Sequence, residues 1–217
     1  MSETLPPIKS EPAAIRGPDG TLEAVLDIPE QSDGSHIAVI CHPHPQYGGT
    51  MTNKVVHMLA KSFNALDAAA VRFNFRGVGR SGGTYAQGEG ETHDALAVLD
   101  WAAQRWPSAA LSLAGFSFGG AVAIRAGVER TIHRLVTVAP AIDRVSVSGE
   151  RLPSCPWLLI QGDRDELVDP ARVRMWVDSL TSPPELTLLP GVDHFFHGRL
   201  NDLKDVVVAW LTRQRVI

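Results

Sequence analysis

The stretch GFSFG, Gly115 to Gly119, decides the fold of this 217-residue chain through what stands on either side of it. Before it runs ALSLA, residues 110–114, a short apolar segment of strand character. After it comes AVAIRAGVE, residues 121–129, which reads as helix. A serine held on a sharp turn between strand and helix needs neighbours without a Cβ, because a side chain at Gly115 or Gly119 would collide as the chain reverses. The helix start then aims its dipole and its free amides at the serine oxygen. A bare GxSxG string also arises by chance in glycine-rich turns, so the flanks carry the weight.

Outward from this unit, short apolar or β-branched runs alternate with longer segments of helical period. Strands are predicted over 22–28, 37–41, 70–75, 110–115, 135–139, 157–162 and 185–189, and helices over 54–66, 91–105, 118–129, 171–180 and 200–213. The alternation predicts an α/β fold: one domain over 13–217, with a mostly parallel sheet and helices on both faces. A loose, proline-bearing segment is expected over 1–12. Only the short stretch 140–154 separates LVTVA from the strand that opens at Trp157, so little or no cap domain is expected.

A composition of 44% hydrophobic and 20% charged residues is enough to bury a full core. The net charge of -4, with Lys and Arg scattered, leaves no electrostatic footprint for nucleic acid or an anionic membrane, so a small molecule is the expected partner. The start MSETLPPIKSEP lacks the apolar stretch of a secretory signal, and no apolar run approaches the roughly 18 residues of a membrane span. A cytoplasmic protein is expected. Cys41 and Cys155 both lie in apolar, strand-like surroundings and read as small buried thiols.

A serine hydroxyl is a weak nucleophile until a base takes its proton, which directs attention to the eight histidines. His194 stands in LTLLPGVDHFFHG, first after the last predicted strand, with Phe195 and Phe196 beside it to pack its loop. His197 is its competitor. The acid should follow the preceding strand, and WLLIQGDRDELVD offers Asp163, Asp165, Glu166 and Asp169. Asp165 fits best, since GxxDxxV lets Gly162 turn the chain and Val168 return to the core. Asp163 suits bonding to loop amides, and Glu166 and Asp169 read as solvated or helix-capping residues. The order Ser117, Asp165, His194 is that of a serine presented on a strand-to-helix elbow.

Oxygen charge developing on an attacked carbonyl needs two backbone donors. The Phe118 amide is one candidate, and the loop HPHPQYGGTMTNK after HIAVIC should supply the other. Pro43 and Pro45 have no amide hydrogen, which leaves His44 as the only donor in that turn and would make its imidazole dispensable. A proline-stiffened turn is the plain alternative. A metal pair on His42 and His44, extended to His194 and His197, is a rival, although no carboxylate–histidine ligand motif accompanies it. Tyr47, Phe116, Phe195 and Phe196 are the candidates to line a substrate pocket.

These residues resemble the α/β-hydrolase superfamily, and more closely a group of small bacterial serine hydrolases, over nearly the whole chain. The resemblance rests on CHPHPQYGGTMTNK, VRFNFRGVGRSGG, LAGFSFGG, GDRDELV and GVDHFFHG. In the second of these, Asn74 replaces the leading Asp of a DxRGxGxS strand-turn motif, a departure expected to be structural, and Arg76 reads as scaffold. The resemblance implies ester or related acyl hydrolysis without a cofactor. It does not separate esterase from thioesterase, amidase, lactonase or acyltransferase. A serine at the elbow argues against dehalogenase or epoxide-hydrolase chemistry, and a non-catalytic binding module would not need all these positions intact.

Overall fold

The computed structural model describes residues 7–144 and 151–214. In chain order the elements are β1 (Ile8–Gly17), β2 (Gly20–Pro29), β3 (His36–Cys41), α1 (Lys54–Asn64), β4 (Ala69–Phe73), α2 (Glu89–Arg105), β5 (Ala110–Phe116), α3 (Phe118–Glu129), β6 (Arg134–Val138), β7 (Trp157–Gly162), α4 (Pro170–Asp178), β8 (Glu185–Leu189) and α5 (Leu200–Gln214). The eight strands form one sheet in the order β1-β2-β4-β3-β5-β6-β7-β8. From β4 to β8 every pairing is parallel, while β1/β2 and β2/β4 are antiparallel.

Parallel strands covered on both faces must be apolar at every position, and period two sends successive side chains to opposite cores. In β3, Ile37, Val39 and Cys41 enter one core, which contains Val98, Leu99, Val122 and Val173 of α2, α3 and α4. Ala38 and Ile40 enter the other, with Val55, Leu59, Val207 and Trp210 of α1 and α5. The stripe Leu203, Val207, Trp210, Leu211 is the apolar face that seats α5. Asn53 caps α1 through the amides of Val55 and Val56, and Asp169 caps α4 ahead of Pro170.

Two expectations need correction. Ile8 to Pro12, taken as loose, form the first half of β1, paired from Ile8 to Pro29 through Gly17 to Gly20. An edge strand tolerates Pro12, because one side of its backbone needs no partner, and its largely exposed side chains left no apolar signal to read. The remainder of that segment, 1–6, lies outside the described residues. Cys41 is buried in β3 as expected, whereas Cys155 precedes β7 and is only half-buried. Between β6 and β7 the described residues form a 3-10 turn at Ile142–Arg144 and no other helix or strand; residues 145–150 lie outside the description.

The sheet positions a site beyond the C-terminal ends of its central strands. Its chain order reverses direction between β3 and β5, and ligands of such sheets bind beyond the strand ends at that reversal. Cys41 stands in register with Gly115, so the loop after β3 leaves the sheet level with the GFSFG turn.

Candidate active site

Ser117 adopts φ 55° and ψ −117°, a conformation that costs a side-chain-bearing residue roughly 1–3 kcal/mol and persists only where the surroundings enforce it. Here the Ser117 amide donates to the Val138 carbonyl, and the Ser117 carbonyl accepts from the amides of Gly120, Ala121 and Ala141. A Cβ on Gly115 would lie 2.1 Å from the Gly119 carbonyl oxygen, and one on Gly119 would lie 2.4 Å from those of Cys41 and His42. Both glycines are therefore required for the turn to close against β3. The serine side chain stays half-buried and reachable.

The loop after β8 brings His194 to Ser117, with Nε2 3.1 Å from Oγ. On its other side Nδ1 lies 2.8 Å from Oδ2 of Asp165, which stands on the loop after β7. Both side chains are buried. Oδ1 of Asp165 accepts from the amides of Leu167 and Val168, and Oδ2 also accepts from Nε2 of Gln161, so the carboxylate is bonded on all sides. Burial pushes this carboxyl up, but the bonds from His194, Val168 and Leu167 outweigh it and hold the group below the usual carboxylate range. An ionised Asp165 accepts a hydrogen bond from Nδ1–H, which holds the proton on that nitrogen and leaves the Nε2 lone pair facing the serine hydroxyl. The Phe116 ring lies 5.1 Å from the imidazole, and the Phe195 ring stands edge-on to it at the same distance.

The rivals sit elsewhere. His197 is exposed and bonds Asp193 inside its own loop. Asp163 accepts from the Gly191 amide, Glu166 from the His194 amide, and Asp169 caps α4. Gln161 is a residue that sequence reading missed; its signal was an amide at the end of the otherwise apolar run WLLIQG.

His42 is fully buried, with Nδ1 bonded to the Pro43 carbonyl and Nε2 accepting from the Phe75 amide. Both nitrogens are thus committed to backbone, and the ring ties the loop after β3 to the segment after β4. Burial pushes its pKa down to about 4, against the pull of the Pro43 bond. Below the ordinary histidine range an unfolded chain gains a proton that the folded chain refuses. Stability should therefore fall from about pH 6.5 to about pH 4 and level off there, by roughly 3 kcal/mol from this group. His57 and His133 are shifted the same way, first by burial and then by Arg72 and Arg134. Denaturant titrations across that window should give a flatter slope for His42→Gln than for the wild type; identical slopes would contradict the assignment.

His44 caps the 3-10 turn Pro45–Tyr47, its Nδ1 accepting from the Gln46 amide at 3.2 Å. Its Nε2 lies 3.2 Å from the Tyr85 hydroxyl, and its ring packs on Phe118 with centroids 4.8 Å apart. The imidazole expected to be dispensable therefore stitches together the two residues whose amides are the candidate donors. Phe118 opens α3, where the first amides have no carbonyl a turn back to bond.

The four aromatic residues expected around a substrate divide into two pairs. Tyr47 and Phe195 are exposed, with ring centroids 4.7 Å from that of His44 and 5.1 Å from that of His194 respectively. Phe116 and Phe196 have no exposed surface and belong to the core under α1 and α5, Phe116 lying against the His194 ring. Phe195 borders a cleft of about 380 Å³ that runs to Thr52 and Val55, and a second cleft of about 320 Å³ lies beside Asp165, Leu167 and Asp143.

In the RFNFRG segment, Asn74 accepts from the Met51 amide and donates to Glu23 at 2.9 Å. An aspartate there would set two carboxylates against each other, which explains the departure from the motif. Arg76 makes a buried pair with Asp94 at 2.7 Å, away from the serine's partners, as a scaffold residue should.

The family profile described as serine aminopeptidase, S33, matches residues 37–153, just over half of the chain. An uncharacterised protein of Rickettsia prowazekii is 33% identical over 207 residues, covering 91% of this chain and 87% of its own. Among solved structures, an α/β serine hydrolase homologue from Coxiella burnetii is 41% identical with a TM-score of 0.88, over 93% of this chain and 97% of that one. A Xanthomonas campestris protein described as an α/β serine hydrolase without lid is 39% identical with a TM-score of 0.90, over 98% of both chains. The chain belongs to the α/β serine hydrolases, within the family of the serine aminopeptidase S33 profile.

Proposed function

We propose that the chain hydrolyses carboxylic esters of short, soluble acyl groups through an acyl-enzyme on Ser117. The observation that carries this reading is the unbroken hydrogen-bonded run from Ser117 Oγ through His194 to Asp165, at 3.1 and 2.8 Å. Ser117 Oγ attacks the carbonyl carbon while its proton passes to His194 Nε2, and Asp165 stabilises the imidazolium that forms. The backbone amides of Phe118 and His44 hold the oxyanion. His194 then gives its proton to the departing alkoxide, and the C–O bond breaks. Water repeats the sequence on the acyl-enzyme, releasing the carboxylic acid and restoring the serine. The residues perform this chemistry without a cofactor.

Short acyl groups are favoured because Tyr47 and Phe195 stand exposed beside the rings of His44 and His194 and the described residues between β6 and β7 add no lid. With aryl esters of increasing chain length, kcat/KM should be highest for the short, soluble members, with a burst of aryl alcohol stoichiometric with enzyme. No jump in rate should accompany the appearance of an emulsion. A strong preference for emulsified long-chain triglyceride would contradict the open-site reading, and faster turnover of matched thioesters or anilides would reassign the leaving group.

A further inference from the structure

We infer that Gln161 is a positioning residue for this reaction, its side-chain amide fixing the Asp165 carboxylate in the rotation that presents Oδ2 to His194. The inference rests on the Ser117, His194, Asp165 reading. Gln161 is the penultimate residue of β7 and has no exposed surface. Its Nε2 donates to Asp165 Oδ2 at 2.8 Å and to the Val168 carbonyl at 3.1 Å, with the Gly162 carbonyl at 3.4 Å. One amide therefore grips both the carboxylate and the loop whose amides hold the other carboxylate oxygen.

The arrangement matters because Oδ1 is fastened by Leu167 and Val168, whereas Oδ2 is held by His194 and Gln161. In the reaction His194 gains and loses a proton, so its bond to Oδ2 changes strength at each step. Gln161 supplies a bond that does not. Removing it leaves Oδ2 with the His194 bond alone, so that the carboxylate is fixed only from the Oδ1 side by Leu167 and Val168. The placement also breaks a local rule, since a glutamine stands among Trp157, Leu158, Leu159 and Ile160 in a strand buried on both faces. An apolar residue would suit that position better unless the amide had work at the strand end.

Gln161→Met, which keeps side-chain length and loses the donor, should lower kcat on a short aryl ester about 10- to 100-fold while KM stays within about threefold. The low-field proton resonance of the bond between His194 Nδ1 and Asp165 should move in the same variant. Gln161→Glu restores a donor only while the introduced carboxyl is protonated. Its kcat relative to wild type should therefore fall as pH rises and that carboxyl ionises against Asp165. The other ionisable groups bonded within these two loops are His194 itself, Asp163 at the Gly191 amide, Glu166 at the His194 amide, Asp169 at the start of α4, and the Asp193–His197 pair. A folded Gln161→Met enzyme with wild-type kcat and an unmoved resonance overturns the inference. If that variant does not fold, a pH-independent ratio for Gln161→Glu overturns it instead. Asp165→Asn measured in parallel separates the two readings: its collapse beside an unaffected Gln161→Met refutes only the role of Gln161, whereas wild-type turnover in Asp165→Asn refutes the triad as well.

Discussion

Asp165→Asn is expected to lower kcat by about ten-thousandfold while the protein stays folded, the scale typical of losing this carboxylate from a serine–histidine pair. The size follows from the hydrogen-bond geometry around the group. The amides of Leu167 and Val168 demand an acceptor on one side of residue 165, so an asparagine there must turn its oxygen toward them. Its NH2 then faces His194 Nδ1 and the Gln161 amide, both donors in the native arrangement. The imidazole can accept from that NH2 only by moving its own proton to Nε2, which points a hydrogen at the serine hydroxyl. A base in the wrong tautomer cannot take the serine proton. Assays of kcat beside a thermal melt check this, and a folded variant within about tenfold of wild type would contradict it.

Ser117→Ala is expected to lose more, on the order of a million-fold in kcat, because the covalent route disappears and the oxyanion donors alone remain. Stability should change little or rise. The alanine must still adopt φ 55°, and the backbone bonds from Ser117 to Val138, Gly120, Ala121 and Ala141 do not involve the hydroxyl. What the variant gives up is a bond from Oγ to a buried imidazole. Inactivity accompanied by a collapsed melting transition would mean that the serine is chiefly structural.

The parts of this molecule that were legible from sequence are those where local pattern and global fold agree. The ALSLA run, the GFSFG turn and the following helix each carry their own signal, and the collisions at Gly115 and Gly119 are a matter of backbone sterics. Asp165 was chosen over its rivals by the GxxDxxV spacing after β7, and His194 as the first histidine after β8. Relations that cross the sheet were not legible. Nothing near His44 announces Tyr85, 41 positions away, and nothing near Asp165 announces that Gln161 turns its amide toward it. Adjacency in sequence did not mean shared exposure: Phe116 precedes the half-buried Ser117 but is itself buried against His194, and Phe196 follows the exposed Phe195 into the interior. The strand β1 was missed because an exposed edge strand with a proline has neither apolar alternation nor strand-forming composition.

The claim that Ser117 is the nucleophile on which the rest depends is tested most directly by covalent labelling. The purified protein would be treated with a fluorophosphonate, digested and examined by mass spectrometry. A single adduct on the peptide carrying Ser117, with loss of esterase activity in proportion to labelling and no adduct on Ser117→Ala, is the predicted result. Full labelling of Ser117→Ala, or inactivation of the wild type with the adduct on another residue, would contradict the account.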